Sequence, residues 1–233
     1  MQAAENLHEK LWGQGLNDNL EEHSENGVTW KYLPKEYLDS LQLPLLGYLE
    51  DVLLFREEYK IAMDSFNPEE SMKGGSRGVV VTGQPGIGIV SLMIDVRRSA
   101  SDYFLPGKSC FLYYLLFQQL SKKTSVALER PDCFFLFSED GVTRHAKTQY
   151  TRLFPKITWA LSDSNEIIEQ PCAAFLDASQ RGRTWVVQIT SPLEKRWEKW
   201  QEQNSAGMFI MKYFSVREIT ALGWVSWFQF IAC

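Results

Sequence analysis

Histidine, cysteine and net positive charge are all scarce in this 233-residue chain. It has three histidines, four cysteines, and 24 Lys and Arg against 29 Asp and Glu, for a net charge of −5. An acidic balance excludes bulk electrostatic attraction to nucleic-acid phosphates, and the basic residues are interleaved with Glu and Asp rather than clustered. Cys110, Cys133, Cys172 and Cys233 form no C-x-x-C pair and have no histidine at metal-ligand spacing. Cys110 and Cys133 lie inside apolar runs and read as buried free thiols, which makes a reducing compartment the default. His8, His23 and His145 sit in polar surroundings with neither G-x-S-x-G nor H-E-x-x-H nearby, and read as surface histidines. Long apolar runs are missing too. No segment approaches the ~20 residues that span a bilayer, and "MQAAENLHEKLWGQGLNDN" has no apolar core for a secretory signal. The expectation is a soluble intracellular protein, cytoplasmic or nuclear, with no membrane partner.

What is present is an ordinary globular composition, 45% hydrophobic and 23% charged, long enough for one sizeable core or a core with a smaller appendage. Residues 1–27 are polar and read as loosely ordered, with a short helix around Leu7 to Leu11. Leu46, Tyr48, Leu49, Val52, Leu53, Leu54 and Tyr59 recur at roughly helical spacing, which predicts one or two helices broken near Pro44. "NPEESMKGGSRG" (Asn67 to Gly78) reads as a linker, so the expected division is 1–72, an N-terminal polar and helical region, and 73–233. From Val79 onward, β-branched or aromatic runs alternate with helical patterns. Val79 to Thr82, Cys133 to Ser138, Ile157 to Asp163, Trp185 to Thr190 and Met208 to Tyr213 read as strands. Cys110 to Lys123 and Pro192 to Gln203 read as helices. Such alternation predicts a three-layer α/β fold with a mostly parallel sheet.

A phosphate-binding loop has the pattern G-x-x-x-x-G-K-[ST] between a strand and a helix. Its glycines let backbone N–H groups turn toward the phosphates, and the helix N-terminus adds a favourable dipole. Here Gly83-Gln84-Pro85-Gly86-Ile87-Gly88 follows a strand, and Gly107-Lys108-Ser109-Cys110 opens a helix. Without Ile89 to Gly107 the chain would read "GVVVTGQPGIGKSCFLYYLL", the whole motif in its proper setting. The alternative is a glycine-rich turn and an unrelated helix start. The intervening run fits no period and reads as a retained short intron, since Gly88 and Gly107 can share one split glycine codon. Near the C-terminus, Ser215 and Glu218 form a capping box. The helix it starts is barely under way when "GWVSWFQFIAC" ends the chain, either a second read-through with the following lid region absent or a short aromatic tail packed on the core.

With the loop rejoined, the chain resembles the P-loop ATPase module of Crinkler-type and retrotransposon-hot-spot-type proteins, AAA-like NTPases frequent in fungi and other eukaryotes. The resemblance rests on "GVVVTGQPGIG…KSCFLYYLL", "ITWALSDSNE", "WVVQITSPLEKRWEKW" and "MFIMKYFSVREITAL", and spans Gly78 to Leu222. It implies a P-loop NTPase core and, as cofactors, ATP and Mg²⁺. Lys108 would neutralise the β- and γ-phosphates, Ser109 and Asp163 would hold the metal, and Thr190 or Ser191 would sense the γ-phosphate. Asp163 read alone is a turn or cap residue. Thr190 and Ser191 read alone form an N-cap before Pro192, while Lys195 and Arg196 read as a solvated face.

Two departures qualify what the resemblance implies. An acidic residue follows the corresponding aspartate in many such ATPases. Here that position is Ser164, with Glu166 further on. The insert is the second departure. Loop closure for such an excursion costs only ~2–3 kcal/mol, but Lys108 must stay in register beside Gly88. The expectation is an ATP-binding module, ancestrally a Mg²⁺-dependent hydrolase, weakened or inactivated by residues 89–107. The alternative is a non-catalytic protein-interaction module that keeps the same scaffold, with a protein partner or a missing C-terminal domain.

Overall fold

The computed structural model describes residues 1–25, 28–34, 37–38, 52–83, 108–148, 153–155, 157–164, 168–191, 197–212, 215 and 217–218. In chain order the elements are helix α1 (Gln2–Leu11), a 3-10 turn (Leu16–Asn19), strands β1 (Glu21–Glu25), β2 (Val28–Pro34) and β3 (Val52–Phe55), and helices α2 (Glu57–Ser65) and α3 (Pro68–Lys73). There follow β4 (Gly78–Gly83), α4 (Lys108–Ser121), β5 (Val126–Glu129), β6 (Cys133–Ser138), β7 (Gly141–Ala146), β8 (Thr158–Asp163), α5 (Ala173–Gln180), β9 (Thr184–Ile189), α6 (Glu198–Gln203) and β10 (Gly207–Met211).

Seven strands form one sheet in the order β10-β4-β9-β8-β5-β6-β7. The five strands from β10 to β5 are parallel, and the β6–β7 hairpin adds antiparallel at one edge. The strands of the parallel part are nearly continuous apolar runs because both faces are covered. Alternation along them separates two cores. Val79, Val81, Leu128, Trp159, Leu161, Val187 and Ile189 point to one face, with α4 and the N-terminal elements. Val80, Ala127, Ala160 and Val186 point to the other, with Phe175 of α5 and Trp200 of α6. The expected α/β class with a mostly parallel sheet is what the chain forms, helices lying on both faces.

Helix α4 is apolar nearly all round. Phe111, Leu115, Leu116, Phe117 and Leu120 are fully buried, which suits a helix covered on every side. The sheet covers one side, and the N-terminal region covers the other. Leu7 and Leu11 of α1, Leu33 of β2, Leu53 of β3 and Tyr59 of α2 belong to the same core as α4. His8 Nε2 lies 2.7 Å from the Ser138 carbonyl oxygen, fastening α1 to the hairpin edge.

Several sequence readings need correction. Residues 1–25 carry defined structure, because three inward residues of α1 (Ala4, Leu7 and Leu11) bury against the core. The N-terminal region is not purely helical, since β1, β2 and β3 form an antiparallel three-stranded sheet. Val52 to Phe55 is strand, where helical spacing predicts helix; pairing with β2 overrides the local pattern. The expected linker contains α3, with Asn67 as N-cap accepting from the Glu70 N–H and Pro68 in its first turn. Strands β5 and β7 and helix α5 have no counterpart among the sequence-derived elements. The capping box is formed, with the Ser215 N–H donating to Glu218 Oε2 at 2.6 Å and the Glu218 N–H to Ser215 Oγ at 3.2 Å.

Candidate functional site

In an open α/β sheet, ligands bind outside the carboxyl ends of the strands, where neighbouring strands send their connections to opposite faces. That switch lies between β4 and β9. β4 is followed by α4 on one face, and β9 by α6 on the other. The two strands are adjacent and parallel, with Val81 opposite Ile189, and the Thr190 N–H continues the ladder by donating to the Val81 carbonyl at 3.0 Å. β8 lies next to β9 with Asp163 opposite Ile189, and the Ser164 N–H donates to the Ile189 carbonyl at 2.7 Å. Gly83, Asp163, Ser164, Thr190 and Ser191 therefore end three adjacent strands at one edge of the sheet.

Asp163 shares strand parity with Trp159 and Leu161, and so belongs to the α4 face. Its carboxylate is felt in the first turns of α4. Burial pushes the Cys110 thiol up, and the Asp163 charge pushes it further. The Tyr113 phenol is pushed up to about 12, first by burial; Arg130 pulls it down, and Asp163 raises it again. Asp163 thus stands beside the N-terminal end of α4, where a carboxylate can share a cation with a phosphate bound at that end. Lys108 and Ser109 open the helix and are described by backbone alone. Cys110 is buried, so its contribution to a bound anion would be its backbone.

The opposite face at the same edge is polar. Thr82 and Thr190 are 6% and 1% exposed, and Ser162 and Gln188 are fully buried. Gln188 Nε2 donates to Ser164 Oγ at 2.7 Å, joining β9 to the end of β8. One row away, Glu129 Oε1 pairs with Lys147 Nζ at 2.8 Å, and Glu129 Oε2 accepts the Cys172 N–H at 3.3 Å.

Of the site residues expected from sequence, the fold brings Gly83, Lys108, Ser109, Cys110, Asp163, Thr190 and Ser191 to the carboxyl edge. Gln84, Pro85, Gly86, Ile87, Gly88 and Gly107 lie outside the described residues, as do Glu166, Lys195 and Arg196. Sequence reasoning missed Thr82, Ser162 and Gln188. The available signal was parity, since otherwise apolar strands each turn polar on the same face at their last positions. Cys110, Cys133 and Cys172 are buried free thiols. No group of three or more potential ligands among the described residues could enclose a metal ion, and no helix among them is long and apolar enough to cross a membrane. Comparison with family models, curated proteins and solved structures finds no match.

Proposed function

We propose that the chain is an ATP-binding module of the P-loop NTPase kind, with its nucleotide site in the crevice between β4 and β9. The single observation that carries this reading is the convergence at the sheet's switch point. The glycine-bearing strand end, the start of α4, Asp163 and the Thr190–Ser191 pair meet there, contributed by segments far apart in the sequence. That convergence supports the joined-loop reading over a chance pair of glycine turns.

Each residue then has a defined task. The backbone N–H groups and dipole of the α4 N-terminus favour an anion at that end, and Lys108 adds a full positive charge. Mg²⁺ binds through one or two carboxylates plus phosphate and water oxygens rather than an all-protein cage. A single carboxylate, Asp163, beside a helix N-terminus fits that requirement, with Ser109 as the hydroxyl partner. The bound metal would supply charge neutralisation between phosphate groups. Ser191, which follows the ladder bond that fixes the end of β9 to Val81, offers its hydroxyl to a terminal phosphate, while the Thr190 hydroxyl lies buried on the face opposite α4. Ser164 holds the place where a carboxylate base would serve hydrolysis, and its hydroxyl is engaged by Gln188, so the site favours binding over turnover.

A second reading is a protein-interaction module that keeps the scaffold without nucleotide, favoured by the separation of Gly88 from Lys108 by residues 89–107. Titration with fluorescent ATP and Mg²⁺ discriminates between the two, using the full chain and a variant lacking Ile89 to Gly107. The expected result is binding at least ~10-fold tighter in the shortened chain, abolished by Lys108→Ala. Asp163→Asn should weaken it about 10-fold with Mg²⁺ and little without. Absence of binding in both chains would sink the nucleotide reading and leave the interaction module.

A further inference from the structure

We propose that Thr82, Thr190 and Ser162 form a buried solvent site behind the crevice, holding ordered water on the face of the sheet opposite α4. The hydroxyls of all three are shut away from bulk water, and none has a hydrogen-bond partner among the described residues. Three orphaned hydroxyls in one patch are unusual. Buried polar groups are almost always paired, with protein or with retained water, and each left bare would lower the folding equilibrium constant roughly tenfold or more.

Their placement says what fits. Val81 faces Ile189 in the β4–β9 ladder, so Thr82 and Thr190 are the next neighbours, on the opposite face from that pair. Adjacent strands lie about 4.8 Å apart. The two hydroxyls make no direct bond with each other, and at that strand spacing one water making two bonds of about 2.8 Å can join them. Ser162 stands opposite Gln188, one step back on the same face, diagonal to Thr190. A hydroxyl both donates and accepts, so water can satisfy all three without a fixed polarity.

Among the described residues, the charge beside the patch is already paired. Glu129 follows Leu128, which pairs with Leu161, and so stands next to Ser162, closed against Lys147 at 2.8 Å. A phosphate or metal placed among three neutral hydroxyls would be desolvated without a counter-charge. Water carries no such penalty. The site lies immediately behind the β4–β9 switch point, and the inference stands whether or not the crevice takes a nucleotide.

A double-mutant cycle on the nucleotide-free full chain tests it. Thr82→Val and Thr190→Val keep side-chain shape and remove the hydroxyls. Each should lower the folding equilibrium constant about tenfold in denaturant unfolding, and in the double variant the second change should cost at least ~5-fold less than it does alone. Thr190→Ser, which retains a hydroxyl, should keep the coupling to Thr82. Oxygen-17 relaxation dispersion should show at least one long-lived water lost in the double variant. Valine substitutions that leave the constant unchanged or raise it, effects that multiply independently, or an unchanged dispersion amplitude would each overturn the proposal.

Discussion

Arg56 donates its Nε–H to Glu218 Oε1 at 2.7 Å, joining the residue that caps α2 to the first turn after β10. The arginine side chain is 1% exposed and the glutamate 20%. Arg56 also donates from Nη2 to the Lys212 carbonyl at 3.2 Å, and Glu58 accepts the Lys212 N–H at 3.2 Å. The guanidinium lies 5.6 Å from the Tyr59 ring centroid. The N-terminal region is thereby clasped to the carboxyl edge of the sheet.

Breaking this pair on one side should be costly, since a buried charge left without its partner destabilises by roughly 3–5 kcal/mol. Glu218→Gln is expected to lower the unfolding free energy by about 3 kcal/mol, and Arg56→Ala by somewhat less, because Glu218 retains access to solvent. Burial pushes the Glu218 carboxyl up, but Arg56 and the Ser215 N–H more than offset it and hold its pKa below the usual 4.5. The depressed value fixes the sign. The stabilisation is fully present above the unfolded carboxyl's pKa and is lost as pH falls through the lower folded value. Unfolding free energy measured across this acid range should fall more steeply in the wild type than in Glu218→Gln.

Glu129 and Lys147 make a second test of the same physics. Removing the charge with Glu129→Gln leaves Lys147 facing an uncharged amide and weakens the bond to the Cys172 N–H. A loss of about 2–3 kcal/mol is expected. Replacing both members, as Glu129→Leu with Lys147→Met, should recover most of that loss in denaturant titration. If the double change is as costly as the single one, the pair is positioning the Cys172 loop as well as satisfying charge.

Gly78 is set by close approach. A Cβ there would meet the Val186 carbonyl oxygen at 2.2 Å and the Trp200 ring at 3.1 Å, and the backbone oxygen cannot move without breaking the β4–β9 ladder. Gly78→Ala should cost about 3 kcal/mol, seen as a depressed melting temperature or loss of soluble protein. Gly75 is the control. Its φ is +89° with nothing within 4 Å of an added Cβ, so alanine should cost only about 1 kcal/mol.

Thiol chemistry reports on the same cores. Burial pushes the Cys172 thiol up to about 12, with the Glu129 charge adding to it, and Cys110 is raised the same way. Because the thiolate is the reactive form, peptide mapping after alkylation near neutral pH should find both unlabelled in the native chain and labelled after unfolding. Labelling of Cys110 in the native chain would mean that the start of α4 opens readily.

The strands that run through the sheet's interior were legible because they are continuous apolar runs bounded by polar residues, as in "VVVT" and "WVVQIT". What escaped was decided by partners remote in sequence. β7 reads "GVTRHA", with no apolar face to announce it; six backbone pairings with β6 make it a strand. Val52 to Phe55 carries helical spacing, yet β2 claims it. At the candidate site, Asp163 and Thr190 enter only through the resemblance to a P-loop module, since read alone they are turn and cap residues. The Thr82–Thr190 adjacency depends on β4 and β9 being neighbours, a fact of topology that no local pattern contains.

That topology also bears on how the chain is made. β4 is the first of the seven strands to leave a ribosome, yet its two neighbours, β9 and β10, are among the last. Until they arrive, Gly78 to Gly83 has neither of its edges paired, and an apolar strand in that condition invites association with other chains. Synthesis therefore passes through a long interval in which the future centre of the sheet is its most vulnerable part, and a chain stopped before Gly207 would leave β4 permanently without one of its neighbours.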